Sequence, residues 1–327
     1  MSQLQDAVLD HAPFTLVLGG GGIRGFAHLG ILRALDSYGY RPSALVGVSM
    51  GGIVAGTYAL NDRWYSSLRD ADLEGLETAA VGVGGIRGPR GTLALGRALR
   101  DLVFRWGTAE RVMNDARGLL DRLTDRRLLE EGRMPVAISA TDLRTGSRVV
   151  LRSGLATDAM YASAALAGVV PPLRRGRALL ADGAYTDVAP IDVARAFGHP
   201  VVIAVDPGQQ AATADPRNGI QTLVRAMEIC HAQHAELRFA AADLVLRPSF
   251  RRPIETLDFA ARRECIAAGL RVVRSDRPRL DGLLRPSPLN DGGPPDRPVP
   301  SGHTSPGALQ TFDDNVPHRS STSAPRT

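Results

Sequence analysis

The chain has 327 residues, 44% of them hydrophobic, enough for one large α/β domain with a full core. Its formal charge of +5 is carried by 39 arginines and no lysine, but acids are interspersed and aromatics are only 5%, so no base-stacking platform for nucleic acid is present and no nucleic-acid partner is expected. Cys230 and Cys265 are the only cysteines; they support neither a disulfide framework nor a metal cluster and fit a reducing compartment.

Residues 1–12 read as an N-terminal extension. They lack the basic start and apolar stretch of a signal peptide. Elsewhere, no apolar run reaches the ~18 residues that span a bilayer. A cytoplasmic chain with at most peripheral membrane contact is expected. Pro13 to Leu18 is an apolar run closed by glycines, Gly19 to Gly22, and suits a buried strand. From Ile23 the apolar positions (Phe26, Ala27, Ile31, Ala34, Leu35) take helical spacing, and Gly39 ends the helix. His28 sits at the margin of that stripe, where packing or a hydrogen bond under the glycine loop explains it better than catalysis. Ser43 to Val48 is a second strand, and Gly51 to Leu60 a second helix.

The order strand, helix, strand, helix implies parallel pairing with a right-handed crossover. Both strands then open at one edge of the sheet, where α/β proteins bind ligands. The glycine run and Ser49, in Gly47-Val48-Ser49-Met50-Gly51, lie at those ends, each at a helix N-terminus that favours negative charge. Glycine lets a backbone turn sharply and aim its N–H groups at a ligand. A Gly-x-Ser-x-Gly turn exposes the Ser Oγ as a nucleophile elbow. Acyl transfer needs such a nucleophile and donors for an oxyanion. These motifs by themselves leave the base for Ser49 unassigned.

Asn61 to Arg133 departs from the α/β rhythm. It carries Gly82 to Gly85 and Arg87 to Gly91 between helical patches at Leu93 to Trp106 and Arg111 to Leu129. We read 61–133 as a helical lid or acyl-binding cap. Strands are expected at Pro135 to Ala140, Ser147 to Leu151 and Pro200 to Val205, and a helix at Ile220 to Ala241. Asp142 is read as a turn residue before Thr145-Gly146. A further apolar strand begins at Arg177 and ends in Asp182-Gly183-Ala184.

Four blocks in order, Gly20-Gly21-Gly22-Ile23-Arg24-Gly25, Gly47-Val48-Ser49-Met50-Gly51, Ala162-Ser163-Ala164-Ala165 and Asp182-Gly183-Ala184, resemble the patatin-like phospholipase family, as does His28-Leu29-Gly30. The resemblance implies a three-layer α/β/α fold with a mainly parallel central sheet over residues 13–278. It implies a Ser49–Asp182 dyad, with Asp182 taking the Ser49 proton directly. It implies an oxyanion hole of Gly20, Gly21 and Gly22 with Arg24 close by, supported by Gly25, Gly47, Gly51, Gly183 and Ala184. It implies hydrolysis of lipid acyl esters through an acyl-enzyme, with no cofactor and no metal. Ala167, Val170, Ala184 and Val188 depart from the family's usual Pro, aromatic, Gly and Asn, and bear on the acyl pocket more than on the reaction.

Other readings of the same residues are weaker. Gly20-x-Gly22-x-x-Gly25 fits a dinucleotide fingerprint, but the next strand ends in Gly47-Val48-Ser49 and not in the acid that would hold a ribose. An ordinary α/β-hydrolase order, with His199, His231 or His234 after the acid, meets an elbow that comes after only one βα unit, too early for that fold. Glu228, His231 and His234 share helical spacing that a metal site uses, yet such a trio is more often a solvated face. Arg174-Arg175-Gly176-Arg177 and Arg251-Arg252 suit phospholipid head groups or a plain solvated surface. Ser49 without chemistry would be a helix N-cap. An esterase or thioesterase on soluble acyl groups, and a non-catalytic lipid-binding protein, are the alternatives to a lipid hydrolase. Leu283 to Thr327 holds nine of the 22 prolines and no apolar periodicity, the composition of a disordered tail.

Overall fold

Short apolar strands lay down the sheet. In the computed structural model, which describes residues 11–73, 109–167, 170–208 and 219–285, eight strands join: β1 (Phe14–Leu18), β2 (Ala44–Val48), β3 (Val136–Asp142), β4 (Ser147–Leu151), β5 (Leu173–Arg175), β6 (Ala178–Asp182), β7 (Val201–Val205) and β8 (Leu244–Leu246). All described residues fall in one unit, Met1–Asp296. The sheet order is β5-β6-β3-β2-β1-β7-β8, with β4 on β3. β1, β2, β3, β7 and β8 pair in parallel. Every residue of β1, β2, β3 and β7 is buried, as a parallel sheet covered on both faces requires.

Eight described helices provide the cover: α1 (Ala27–Ser37), α2 (Met50–Leu60), α3 (Trp64–Arg69), α4 (Ala109–Thr124), α5 (Ala156–Ala164), α6 (Ile191–Arg195), α7 (Gly219–Phe239) and α8 (Arg262–Leu284). Side chains alternate across the strands and so feed two separate cores. Phe14, Leu16, Leu18, Leu45, Ile203 and Val205 face one, with α1, α2, α5 and α8. Val17, Val46, Val48, Val202 and Ala204 face the other, with α6 and the end of α7. These are the three layers. Each fully buried Leu of the larger core, such as Leu16, Leu29 and Leu45, contributes about 1.5–3 kcal/mol. α1 and α8 approach backbone to backbone: a Cβ on Gly30 would stand 2.0 Å from the Ile266 carbonyl, and one on Gly269 2.0 Å from that of Ala27.

Local detail differs from the sequence reading in three places. The first helix opens as a 3₁₀ turn over Gly22–Phe26 before α1 begins. α8 runs to Leu284, with Leu280 and Leu284 buried, past residue 278 where the domain was expected to end. Of the 61–133 region, residues 74–108, with the glycine stretch and the helical patch expected at Leu93 to Trp106, lie outside the described residues. The described flanks, α3 and α4, place Trp64, Leu68, Leu120 and Leu123 in the larger core. Residues 1–10 and 286–327, covering most of the extension and of the tail, also lie outside the described part.

One feature of the sheet positions the site. β3 has two edges. β4 pairs with Ile138 to Asp142 along one of them. On the other, β2 pairs with Val136 to Ser139 and β6 with Ala140 to Asp142. β2 runs parallel to β3 and β6 runs antiparallel, so their carboxyl ends meet head to head: Val48 is opposite Ser139, and Asp182 is opposite the next residue, Ala140. Asp182 therefore reaches Ser49 from the opposite strand direction, and not from a parallel strand opening at the same edge.

Candidate active site

Ser49 follows the last residue of β2 and precedes α2. Its backbone sits at φ 54°, ψ −126°, a conformation that costs a non-glycine residue of order 1–3 kcal/mol unless the surroundings impose it. They do. The Ser49 N–H donates to Ser163 Oγ at 2.8 Å, and its carbonyl accepts the N–H groups of Gly52 and Ile53 at 2.9 and 3.2 Å. α2 starts hard against β1: a Cβ on Gly51 would lie 2.1 Å from the Leu18 carbonyl oxygen, so only glycine permits this turn. Gly47 and Gly52 touch across the same turn. Ser49 keeps 8% of its surface.

The Ser49 hydroxyl donates to Asp182 Oδ2 at 2.6 Å. The other carboxylate oxygen, Oδ1, accepts the Ala184 N–H at 2.9 Å. Gly183 makes that bend possible by lying flat over the Ser139 carbonyl. Among the described residues no arginine pairs with Asp182. Burial raises its pKa to about 6, and the hydrogen bonds from Ser49 and Ala184 hold it from rising further. A carboxylate so placed is mostly ionised at neutral pH and is a stronger base than an ordinary one near ~3.9.

The glycine loop lies against this pair. A Cβ on Gly20 would be 3.6 Å from Ser49 Cβ and 3.3 Å from Ala184 Cβ. Gly25 packs on Met50. The Gly20 N–H makes a long bond of 3.4 Å to the Val188 carbonyl. The N–H groups of Gly21, Gly22 and Met50 have no protein acceptor among the described residues. His28 supports the loop from beneath. It is fully buried and its Nε2–H donates to the Gly19 carbonyl at 2.9 Å. Burial lowers its pKa to about 4, so the ring is neutral at neutral pH.

Arg24 is expected close by the oxyanion loop. Its guanidinium turns away to other work. Nη1 donates to the Ile254 carbonyl at 2.7 Å, and both terminal nitrogens reach Glu228 Oε1 at 3.3 Å. Thr256 Oγ1 donates to the same Glu228 oxygen, and the Ile23 N–H donates to the Thr256 carbonyl at 2.9 Å. Arg24 thus bolts the glycine loop to α7 and to the Ile254–Thr256 segment.

Several residues that invited functional readings lie elsewhere. His199 binds Thr15 Oγ1 at 2.8 Å, at the opposite end of β1 from Ser49, and cannot serve as its base. Glu228 is committed to Arg24, His234 Nδ1 to the Cys230 carbonyl, and no metal-binding group occurs among the described residues. Asp142 caps its turn, accepting the N–H groups of Arg144 and Leu179 and the Thr145 hydroxyl. Sequence reasoning missed Asp187, whose buried carboxylate is held by Arg148 at 2.7 Å and by Arg238 at 3.0 and 2.5 Å, and which accepts the Ala189 N–H. No local signal marks it, because its partners come from β4 and α7.

The Patatin-like phospholipase family model matches residues 16–195, which include every block above. The chain belongs to the patatin-like phospholipase family. A lysophospholipase NTE1 of Cryptococcus neoformans is 34% identical to this patatin-like chain over 62% of it and 12% of the relative. The patatin-like phospholipase domain-containing protein ZK370.4 of Caenorhabditis elegans is 31% identical over 79% of this chain and 20% of that protein. The chain thus spans about an eighth to a fifth of these relatives' length. VipD from Legionella pneumophila is a solved structure that aligns with 81% of this chain and 67% of its own at 13% identity, with a TM-score of 0.41. No helix among the described residues is long and apolar enough to cross a membrane.

Proposed function

We propose that this patatin-like chain hydrolyses lipid acyl esters, of phospholipase A or lysophospholipase type, with Ser49 as nucleophile and Asp182 as base. The observation that carries the reading is the 2.6 Å hydrogen bond from Ser49 Oγ to a buried carboxylate, made by a serine in a strained turn. As Oγ attacks the ester carbonyl carbon, its proton passes to Asp182 Oδ2. The carbonyl oxygen becomes an oxyanion beside the unpaired N–H groups of Gly21, Gly22 and Met50, where one donor is worth about 10²–10³ in kcat. Collapse breaks the ester C–O bond, and the departing alkoxide takes the proton from Asp182. Water then gives a proton to Asp182 and its oxygen to the acyl carbon. The fatty acid leaves and Ser49 recovers its proton. Every step balances with ester, water and one shuttled proton, so no cofactor enters.

A lipid substrate is favoured by the family and by the names of the relatives, lysophospholipase among them. Peripheral contact with a lipid surface is the matching expectation for such a substrate. Fluorophosphonate labelling tests the nucleophile: wild type acquires one adduct on Ser49, and Ser49→Ala acquires none. Turnover over phospholipids, lysophospholipids, acylglycerols and acyl-CoA then tests the substrate. Preference for acyl-CoA or short soluble esters would replace the lipid reading with a thioesterase or esterase. No adduct and no turnover would leave a lipid-binding protein.

A further inference from the structure

The third sequence block, Ala162-Ser163-Ala164-Ala165, lies between the two members of the proposed dyad. We propose that this segment, at the end of α5, is a caliper that sets the Ser49–Asp182 distance, with Ser163 as its positioning residue. The proposal rests on the dyad reading above.

Two hydrogen bonds, two residues apart, define the caliper. Ser163 Oγ accepts the Ser49 N–H at 2.8 Å. The Ala165 carbonyl accepts the Asp182 N–H at 3.0 Å. One short stretch of chain therefore grips the backbones of both dyad residues, which are 133 positions apart in sequence. The hydroxyl of Ser163 has a single proton, and it goes to the Ser139 carbonyl at 2.6 Å, since a carbonyl only accepts. Its lone pair is left for the Ser49 N–H. Ser139 is itself the β3 residue opposite Val48 and adjacent to Ala140, the partner of Asp182. The bond network thus closes on the one place in the sheet where β2 and β6 meet end to end.

The residue type is dictated by this position. Ser163 is completely buried, so an N–H and a carbonyl meet there without water, and one small group must accept from the first and donate to the second. Serine does both. Alanine does neither and would leave the Ser49 N–H and the Ser139 carbonyl unpaired. The N–H of Ser49 is the anchor most directly tied to its φ of 54°. Freed from it, the turn relaxes toward ordinary backbone and carries Oγ away from Asp182. A displacement of about 1 Å at a reacting atom costs about 10²-fold in rate.

The experiment measures steady-state turnover, the rate of fluorophosphonate inactivation and the pH profile for wild type, Ser49→Ala, Ser163→Ala, Ser163→Thr and Ser163→Cys in the full chain. Val273→Ala, a cavity variant on α8, serves as a control for lost stability alone. The proposal expects Ser163→Ala to lower kcat and the inactivation rate together by about 10- to 100-fold, with KM changed by less than about threefold. It expects the acid limb of the profile to move to higher pH, because the Ser49 hydrogen bond that holds the Asp182 pKa down is weakened. Ser163→Thr, which keeps the hydroxyl, should recover most of the rate, and Ser163→Cys, a poor acceptor of similar size, should behave as alanine. If the threonine methyl prevents folding, the cysteine variant decides. A folded Ser163→Ala or Ser163→Cys with wild-type kcat, inactivation rate and acid limb overturns the caliper, as does a loss matched by an equally destabilised Val273→Ala. An adduct persisting on Ser49→Ala overturns the dyad instead, and the two failures are thereby told apart.

Discussion

Asp182 and Asp187 stand five residues apart on one turn of chain, both almost fully buried, and keep different company. Among the described residues the Asp182 carboxylate has only a hydroxyl and a backbone N–H for partners, and its pKa rises to about 6. Asp187 lies between two guanidinium groups, those of Arg148 and Arg238, and ties β4 to α7 beneath the same turn. A buried carboxylate held by arginines has its charge compensated by them. One held by neutral donors keeps an affinity that a reaction can use. On the reading proposed above, the base would differ from Asp187 by its neutral partners as much as by its motif.

The largest expected effect comes from Asp182→Asn. The neutral amide cannot take the Ser49 proton, and kcat should fall by about 10²–10⁴-fold, read by turnover of a lysophospholipid. The same change should stabilise the protein at neutral pH. The folded pKa of about 6 exceeds the ordinary carboxylate value of 3.8, so the stability that Asp182 contributes is present below about pH 4 and is lost as pH rises through 6. Asn removes that loss. Asp182→Asn should therefore gain up to about 3 kcal/mol over wild type at pH 8 and little at pH 4, measured by denaturant titration. Equal stability at both pH values would mean that Asp182 is not held in a desolvated site.

The next effect is on wild type itself. Since only the ionised carboxylate accepts a proton, kcat/KM should fall about tenfold per pH unit below a midpoint near 6. A midpoint near 4 would mean that burial does not raise the Asp182 pKa.

Asp187→Asn should invert the pattern of Asp182→Asn. It strands two arginines, one of them half exposed (Arg148 at 22%, Arg238 at 47%), so a loss of about 2–3 kcal/mol is expected, below that of a fully buried pair. The rate should fall far less than in Asp182→Asn when assayed well below the melting temperature. Glu228→Gln gives the smallest effect. It weakens the hold of α7 on Arg24 and should cost about 1 kcal/mol in thermal unfolding, with kcat within about threefold of wild type. A larger kinetic loss would show that the Arg24 latch shapes the oxyanion site and does not merely fasten the loop.

Much of this was legible without coordinates. Apolar runs bounded by glycine located β1 and β2, because a strand buried on both faces admits few polar residues. The Gly-x-Ser-x-Gly turn located α2 and Ser49 within a residue, and the helical stripe after Gly22 located α1, whose start the 3₁₀ turn delays by four residues. Other features were hidden for stated reasons. β5 and β8 are three residues each, too short to carry a period. Arg24 read as a neighbour of the oxyanion because it stands inside the glycine motif, but its partners Glu228, Ile254 and Thr256 lie more than 200 residues on. Ser163 read as part of a motif without a job, since its job is defined by Ser49 and Ser139 together.

The sequence by itself determined the nature of the strands and helices, the sharp turn at Ser49 and the identity of both dyad candidates, because these depend on local backbone freedom and side-chain chemistry. Only the tertiary structure decided that β6 runs antiparallel and meets β2 head to head on β3, and that among the described residues Asp182 has no cation partner while Asp187 has two. Strand direction and charge pairing are set by packing between segments far apart in the chain, and no local pattern encodes them.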